Sequence, residues 1–111
     1  MGVNLTIIPA YGGDQDFSLS ILECERNIDL FTKVRAAQDL CGRDVSRRGI
    51  KAYIGDKYSN HDTDGYGDVL RSIRAEDLRA IEPPAHNRTN RAIWAYLAEL
   101  DVDHECYLYW H

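Results

Sequence analysis

Apolar and polar residues alternate in two stretches near the start of the chain. Residues 3–7 place Val, Leu and Ile at every second position, the period of a strand with one buried face. Residues 17–21 repeat this pattern with Phe, Leu and Ile. The glycine- and aspartate-rich connection AYGGDQD separates them, so the sequence predicts an antiparallel hairpin.

Further strands are predicted in the second half. RGIKAYIG carries apolar residues at 50, 52 and 54, and DVLRSIR is a short candidate strand that leads into a helix. The stretch ECYLYWH predicts a last strand with two different faces. One face has Cys106, Leu108 and Trp110, and the other has Tyr107, Tyr109 and His111.

A helix is predicted after Asn27, whose side chain is suited to cap its first turn. Ile28, Phe31 and Val34 recur at helical spacing and are expected to face the core. Gly42 is the expected end of this helix because glycine commonly follows the last helical turn.

Two more helices follow. Residues 75–82 form a short one, which the prolines at 83–84 end because proline cannot continue a helix. Asn87 or Thr89 caps the next helix, which runs to about Leu100.

Together these elements predict a single α+β domain over residues 1–111. About four strands form an antiparallel or mixed sheet, and two or three helices pack on it. The length of 111 residues and the 44% of hydrophobic residues suit one globular core. No apolar run approaches the roughly 20 residues that a membrane span needs, so no membrane contact is expected.

The polar stretch NHDTDGYGD, residues 60–68, resembles part of a calcium-binding loop. Its oxygen ligands would come from Asn60, Asp62, Asp64 and Asp68. Arg71 occupies the position at which a glutamate should close such a site, and a cation there opposes calcium binding. The sequence therefore favours a long solvated connection over residues 56–68, with a calcium-binding module as the alternative.

A second alternative is a small metal-dependent enzyme that uses His61 and the loop aspartates. No HExxH, GxSxG, phosphate-binding or dinucleotide-binding motif is present, so no catalytic residue is assigned and no cofactor is expected. The three cysteines have no CxxC spacing. We expect them to be free, buried thiols in a reducing cytoplasm.

Charge and aromatic content favour a protein partner. The net charge of −5 does not provide the basic face that nucleic acid requires. Seven tyrosines accompany two phenylalanines, and tyrosine is enriched at protein interfaces. Tyr53, Tyr107 and Tyr109 are expected on polar strand faces. The predicted partner-binding residues are Tyr58, Asp62, Asp64, Tyr66 and Asp68.

Four segments, LECERNIDLF, YGDVL, NRAIWAYL and LYWH, resemble small uncharacterised proteins encoded by bacteriophages and prophages. This resemblance implies the cytoplasm of a bacterial host and no known activity. The leading hypothesis is a non-enzymatic accessory protein that binds a host protein, as an inhibitor or modulator of a host defence factor. The sequence leaves the identity of that partner and the oligomeric state open.

Overall fold

The structure is a computed structural model that describes residues 3–10, 20–44, 49–54 and 57–111. Three helices and seven strands lie in these ranges. In chain order they are β1 (Leu5–Pro9), β2 (Leu22–Glu23), α1 (Ile28–Cys41), β3 (Arg43–Asp44), β4 (Ile50–Ile54), β5 (Lys57–His61), β6 (Arg71–Arg74), α2 (Ala75–Arg79), α3 (Arg88–Ala98) and β7 (Glu105–Trp110).

Five strands form one antiparallel sheet in the order β2-β1-β7-β6-β3. The last strand in sequence, β7, lies at the centre of this sheet. It places Leu108 opposite Ile7 of β1 and Cys106 opposite Ile73 of β6. Strands β4 and β5 form a separate two-stranded hairpin. The α+β prediction is confirmed, although the described strands exceed the four expected and fall into two sheets.

The three helices cover one face of the large sheet. Their apolar side chains meet the residues of β7 that the alternating pattern placed on one side. This core includes Leu30, Phe31 and Val34 of α1, Leu78 of α2, Ile93, Trp94 and Leu97 of α3, and Leu108 and Trp110 of β7. Burial of each such side chain contributes about 1.5–3 kcal/mol, so this face holds most of the apolar stabilisation.

The β4–β5 hairpin packs near the opposite face of the sheet. Ile50 and Ala52 of β4 join Ile8, Leu70 and Tyr107 in a second buried cluster. As a result β1 is buried at all five positions, not only on alternate ones as the sequence predicts. The placement of Tyr107 on a polar face is also wrong, because this second cluster leaves its side chain only 4% exposed.

Helix α1 begins as predicted, and Phe31 and Val34, two of its three expected core residues, are buried. The Asn27 side chain accepts a hydrogen bond of 2.9 Å from the Leu30 amide, and the helix ends at Cys41, next to Gly42. Leu30 and Phe31 are buried, whereas Ile28 is 78% exposed. Ile28 was expected to face the core, and its exposure leaves an apolar side chain on the surface.

The remaining boundaries differ by a few residues. The partner of β1 in the first hairpin is Leu22–Glu23, and residues 17–19 of the predicted strand lie outside the described ranges. The candidate strand before α2 is confirmed as β6, whereas α2 ends at Arg79 and α3 at Ala98, each earlier than predicted. None of the helices in the described part of the chain is long and apolar enough to cross a membrane.

Candidate functional site

The polar stretch that was expected to be a loop over residues 56–68 begins as a strand. Residues 57–61 form β5, in which Tyr58 lies opposite Tyr53 and Asn60 opposite Lys51. The Tyr53 and Tyr58 rings pack with their centroids 4.9 Å apart and are both about half exposed. Prediction of a loop was therefore wrong for this part, and Asp56 lies outside the described residues.

The loop proper spans residues 62–70 and is held closed by backbone hydrogen bonds. The Leu70 amide donates to the Asp62 carbonyl at 3.0 Å, and the Asp64 amide donates to the Asp68 carbonyl at 2.8 Å. A third bond, of 2.8 Å, runs from the Gly65 amide to the Trp110 carbonyl and fixes the loop to the end of β7. A side chain at position 65 would come within 2.6 Å of the His111 Cβ, so this approach requires glycine.

Asp64 organises the loop from inside. Its carboxylate oxygen Oδ1 accepts hydrogen bonds from the Tyr66 amide at 2.9 Å and from the Asp68 amide at 3.1 Å. Asp64 was predicted to contact a partner. That prediction is wrong, because the residue is only 8% exposed. Its role is to satisfy two backbone donors in the turn.

Asp64→Ala should lower the free energy of unfolding by about 2 kcal/mol, since hydrogen bonds to a charged acceptor contribute about 1.5–3 kcal/mol and water replaces part of them. Urea denaturation followed by circular dichroism measures this. Asp62→Ala is the matched control, because Asp62 is exposed, and it should change stability by less than about 0.5 kcal/mol. Equal stabilities for the two variants would contradict the role given to Asp64.

The ligands of the calcium alternative do not form one site. Asn60 lies on β5, and the Asp64 oxygen Oδ1 is directed at backbone amides. Within the described ranges no three His, Cys, Asp or Glu side chains are grouped to hold a metal ion. His61 contacts the Ser59 hydroxyl at 3.2 Å and packs edge-on against Tyr109, with centroids 5.9 Å apart. This geometry gives no support to either metal-dependent alternative.

The cysteines are all free thiols, but they differ in exposure. Burial raises the pKa of Cys24 and of Cys106 to about 12, and the Glu105 carboxylate adds to the effect at Cys106. Both thiols are therefore protonated at neutral pH and are poor nucleophiles. Cys41, which was expected to be buried, is exposed at the end of α1.

An open groove of about 1130 Å³ lies between α1 and the 62–70 loop. It also extends along Val3, two residues before β1, and along Trp110 at the end of β7. The groove is lined by Val3, Arg26, Ile28, Phe31, Thr32, Arg35, Ala36, Asp39, Tyr66, Asp68 and Trp110. Apolar and aromatic side chains from four separate parts of the sequence therefore meet at one surface.

Two arginines lie among these apolar side chains. The Arg35 guanidinium sits 5.2 Å above the centre of the Trp110 ring, a cation–π contact. Phe31 packs edge-on against the same ring, with centroids 5.9 Å apart, and the Trp110 indole N–H donates to the Gln38 side chain at 2.6 Å. Arg26 donates to the Asn4 side-chain oxygen at 3.1 Å. The aromatic floor is thus rigid, while both cations reach solvent.

Three large apolar side chains in the groove are exposed. They are Ile28 at 78%, Tyr66 at 56% and Val3 at 46%. Exposed apolar side chains that cluster around a concave surface are typical of interaction sites, whereas isolated ones are ordinary. The groove therefore has the composition of a binding surface.

The structure brings only part of the predicted partner-binding set to this groove. Tyr66 and Asp68 line it, whereas Tyr58, Asp62 and Asp64 do not. Val3, Ile28 and Arg35 also line the groove but were not predicted, because each fits an ordinary strand or helix pattern. Only the position of Ile28 could have indicated its exposure. It directly follows the capping residue Asn27, and side chains in the first turn of a helix are often exposed.

Comparison with known proteins gives no relative: no protein-family model, no curated protein and no solved structure matches this chain.

Proposed function

We propose that this protein is a non-enzymatic accessory protein that binds a partner protein through the groove between α1 and the 62–70 loop. The observation that carries the proposal is the exposure of Ile28, Tyr66 and Val3 around an aromatic floor. Leaving such side chains in water is unfavourable by about 25 cal/mol for each Å² of apolar surface, and a partner that covers them recovers this free energy.

The residue types of the groove fit a protein partner. Tyrosine, tryptophan, phenylalanine and arginine are the side chains most enriched in the centres of protein interfaces. Tyr66 stands on a loop that Asp64 and the Trp110 carbonyl hold in place. A rigid aromatic side chain loses little conformational entropy on binding, so Tyr66 is suited to anchor a partner.

The setting proposed for this interaction is the cytoplasm of a bacterial host. It rests on the resemblance of four sequence segments to phage and prophage proteins. In this proposal the partner is a host protein, and the chain acts as an inhibitor or modulator of a defence factor. Binding alone would suffice for such a role, because occupying a functional surface of the host factor blocks it without any catalysis.

Tyr66→Ala should weaken binding by at least about 1 kcal/mol, roughly fivefold in Kd, because interfaces concentrate their energy in a few aromatic anchors. The partner is first captured from a bacterial lysate with the wild-type chain. Affinity is then measured for purified wild-type and variant proteins by isothermal titration calorimetry.

Tyr58→Ala is the matched control, since Tyr58 is also an exposed tyrosine but does not line the groove. It should bind the partner as tightly as the wild type. If Tyr66→Ala binds normally and Tyr58→Ala does not, the interface lies on the β4–β5 hairpin, and the groove proposal is wrong.

A further inference from the structure

One wall of the groove is a single helix face. The groove-lining residues of α1 include Ile28, Phe31, Arg35 and Asp39, which recur at intervals of three or four positions. This spacing places them on one side of the helix. From residue 28 to residue 39 the helix rises about 16 Å, at about 1.5 Å per residue. The groove therefore follows α1 for about three helical turns.

Two arginines of the groove, Arg26 before α1 and Arg35 on it, form no ion pair with another described residue. Both guanidiniums lie beside apolar surface in a chain whose net charge is −5, so these two cations distinguish the groove from an acidic background. Asp39 and Asp68 also line the groove, so its charge is mixed and not uniformly positive.

Arg35 is placed to form an ion pair with a carboxylate of a partner bound in the groove. Its guanidinium rests on the Trp110 ring, between the groove's aromatic floor and solvent. A partner that covers the groove would exclude water from this guanidinium, and an ion pair is stronger where water is excluded. A cation left unpaired there would instead oppose binding.

We propose that the occupant of this groove is an amphipathic α-helix of a partner protein, about three turns long, with an apolar stripe and a carboxylate that pairs with Arg35. This inference rests on the proposed function and names the chemistry of its partner. A helix of that length presents apolar anchors at positions i, i+3 or i+4, and i+7, which match a groove along one helix face. The apolar stripe covers Ile28, Phe31 and Tyr66, and the carboxylate reaches the guanidinium.

The test uses a random library of peptides of about 16 residues, long enough for three helical turns and their ends. The library is selected on the immobilised wild-type chain, and enriched peptides are synthesised with a fluorescent label. The expected peptides carry apolar residues at helical spacing and at least one Asp or Glu, and they gain helical circular dichroism on binding.

Charge reversal then tests the ion pair by fluorescence anisotropy. Arg35→Glu should raise the Kd of the enriched peptides by about 10-fold or more, since truncating or reversing one partner of a covered charge pair costs at least about 1.4 kcal/mol. Lys33→Glu is the matched control, because Lys33 carries the same charge on the same helix, is exposed and does not line the groove. It should change the Kd by less than about twofold. Arg35→Lys retains the charge and should restore part of the affinity, and thermal melts of all variants verify that each is folded.

Several results would overturn the inference. The selection would contradict it if no peptide were enriched, or if the enriched peptides lacked acidic residues or bound in extended form. The charge reversal would contradict it if Arg35→Glu and the wild type bound the peptides with equal Kd. Self-association that Arg35→Glu abolishes would assign the groove to a second copy of the chain and would also overturn it. The capture experiment with Tyr66→Ala is independent of these results. If Tyr66→Ala loses the captured partner but the peptide test fails, the groove is still an interface. Only the proposal of a helical, acidic partner is then wrong.

Discussion

Deletion of residues 105–111 should leave no cooperatively folded protein. The deletion removes β7, which pairs with β1 on one side and with β6 on the other, so it divides the large sheet in two. It also removes four buried side chains, Cys106, Tyr107, Leu108 and Trp110. At about 1.5–3 kcal/mol for each large apolar side chain, the loss approaches the 5–15 kcal/mol by which a whole domain is stable.

Differential scanning calorimetry of the purified truncated chain is the measurement, and we expect no unfolding transition. Trp110→Phe serves as the control, because it keeps β7 and an aromatic side chain but removes the indole N–H that bonds to Gln38. That variant should still melt cooperatively at a lower temperature. A cooperative transition in the truncated chain would show that β7 is dispensable for the fold.

Asn90→Ala should lower the free energy of unfolding by about 3 kcal/mol, a large effect for one polar residue. The Asn90 side chain is fully buried on α3 and bonds twice to the backbone of Glu25. Its oxygen accepts from the Glu25 amide at 2.7 Å, and its amide donates to the Glu25 carbonyl at 2.8 Å. Both backbone groups would lose their partners, and each unsatisfied group costs about 1–3 kcal/mol.

Thermal and urea denaturation measure this loss, which should lower Tm by roughly 10 °C or more. Thr89→Ala is the matched control on the same helix, because Thr89 is exposed, and it should change stability by less than about 0.5 kcal/mol. Asn90→Asp keeps the acceptor but sets a buried carboxylate oxygen against the Glu25 carbonyl, so it should be at least as destabilising as Asn90→Ala. A stability of Asn90→Ala within about 0.5 kcal/mol of the wild type would contradict the contribution given to these two bonds.

The elements with strong local signals were predictable from the sequence. Asn27 caps α1 as expected because a capping side chain and the amide it binds are only three residues apart. The alternation in β7 gave the correct faces for Cys106, Leu108 and Trp110, all of which are buried against the helices. Such features depend on neighbours in sequence, and the sequence shows those neighbours directly.

The second buried face was not predictable in the same way. Strand β5 has the sequence KYSNH, without apolar alternation, and it becomes a strand because it pairs with β4. Tyr107 and Ile8 are buried in the cluster that this hairpin joins on that side of the sheet. The packing of a hairpin on a sheet depends on contacts between distant parts of the sequence, so the local pattern of each strand does not predict it.

The candidate site depends on local turn geometry and also on contacts between distant parts of the sequence. Asp64 has the same local sequence signature in a solvated turn as in a buried one, so its inward direction could not be predicted from the residues alone. The groove joins Val3, the α1 face, Tyr66 and Trp110, which are distant in sequence. Each fits an ordinary local pattern, and only the tertiary fold makes them neighbours.

The pairing of β1 with β7 has a consequence for the order of folding. Contacts such as that between the Thr6 hydroxyl and the His111 ring join residues 105 positions apart. During synthesis, β1 therefore leaves the ribosome long before its central partner exists, at about 5–20 residues per second. The edge of β1 that binds β7 therefore lacks its partner for several seconds, and folding dominated by such distant contacts is slow. A chain of this topology closes its main sheet only after translation has passed Trp110, so chaperones that shield exposed strands would act on it early.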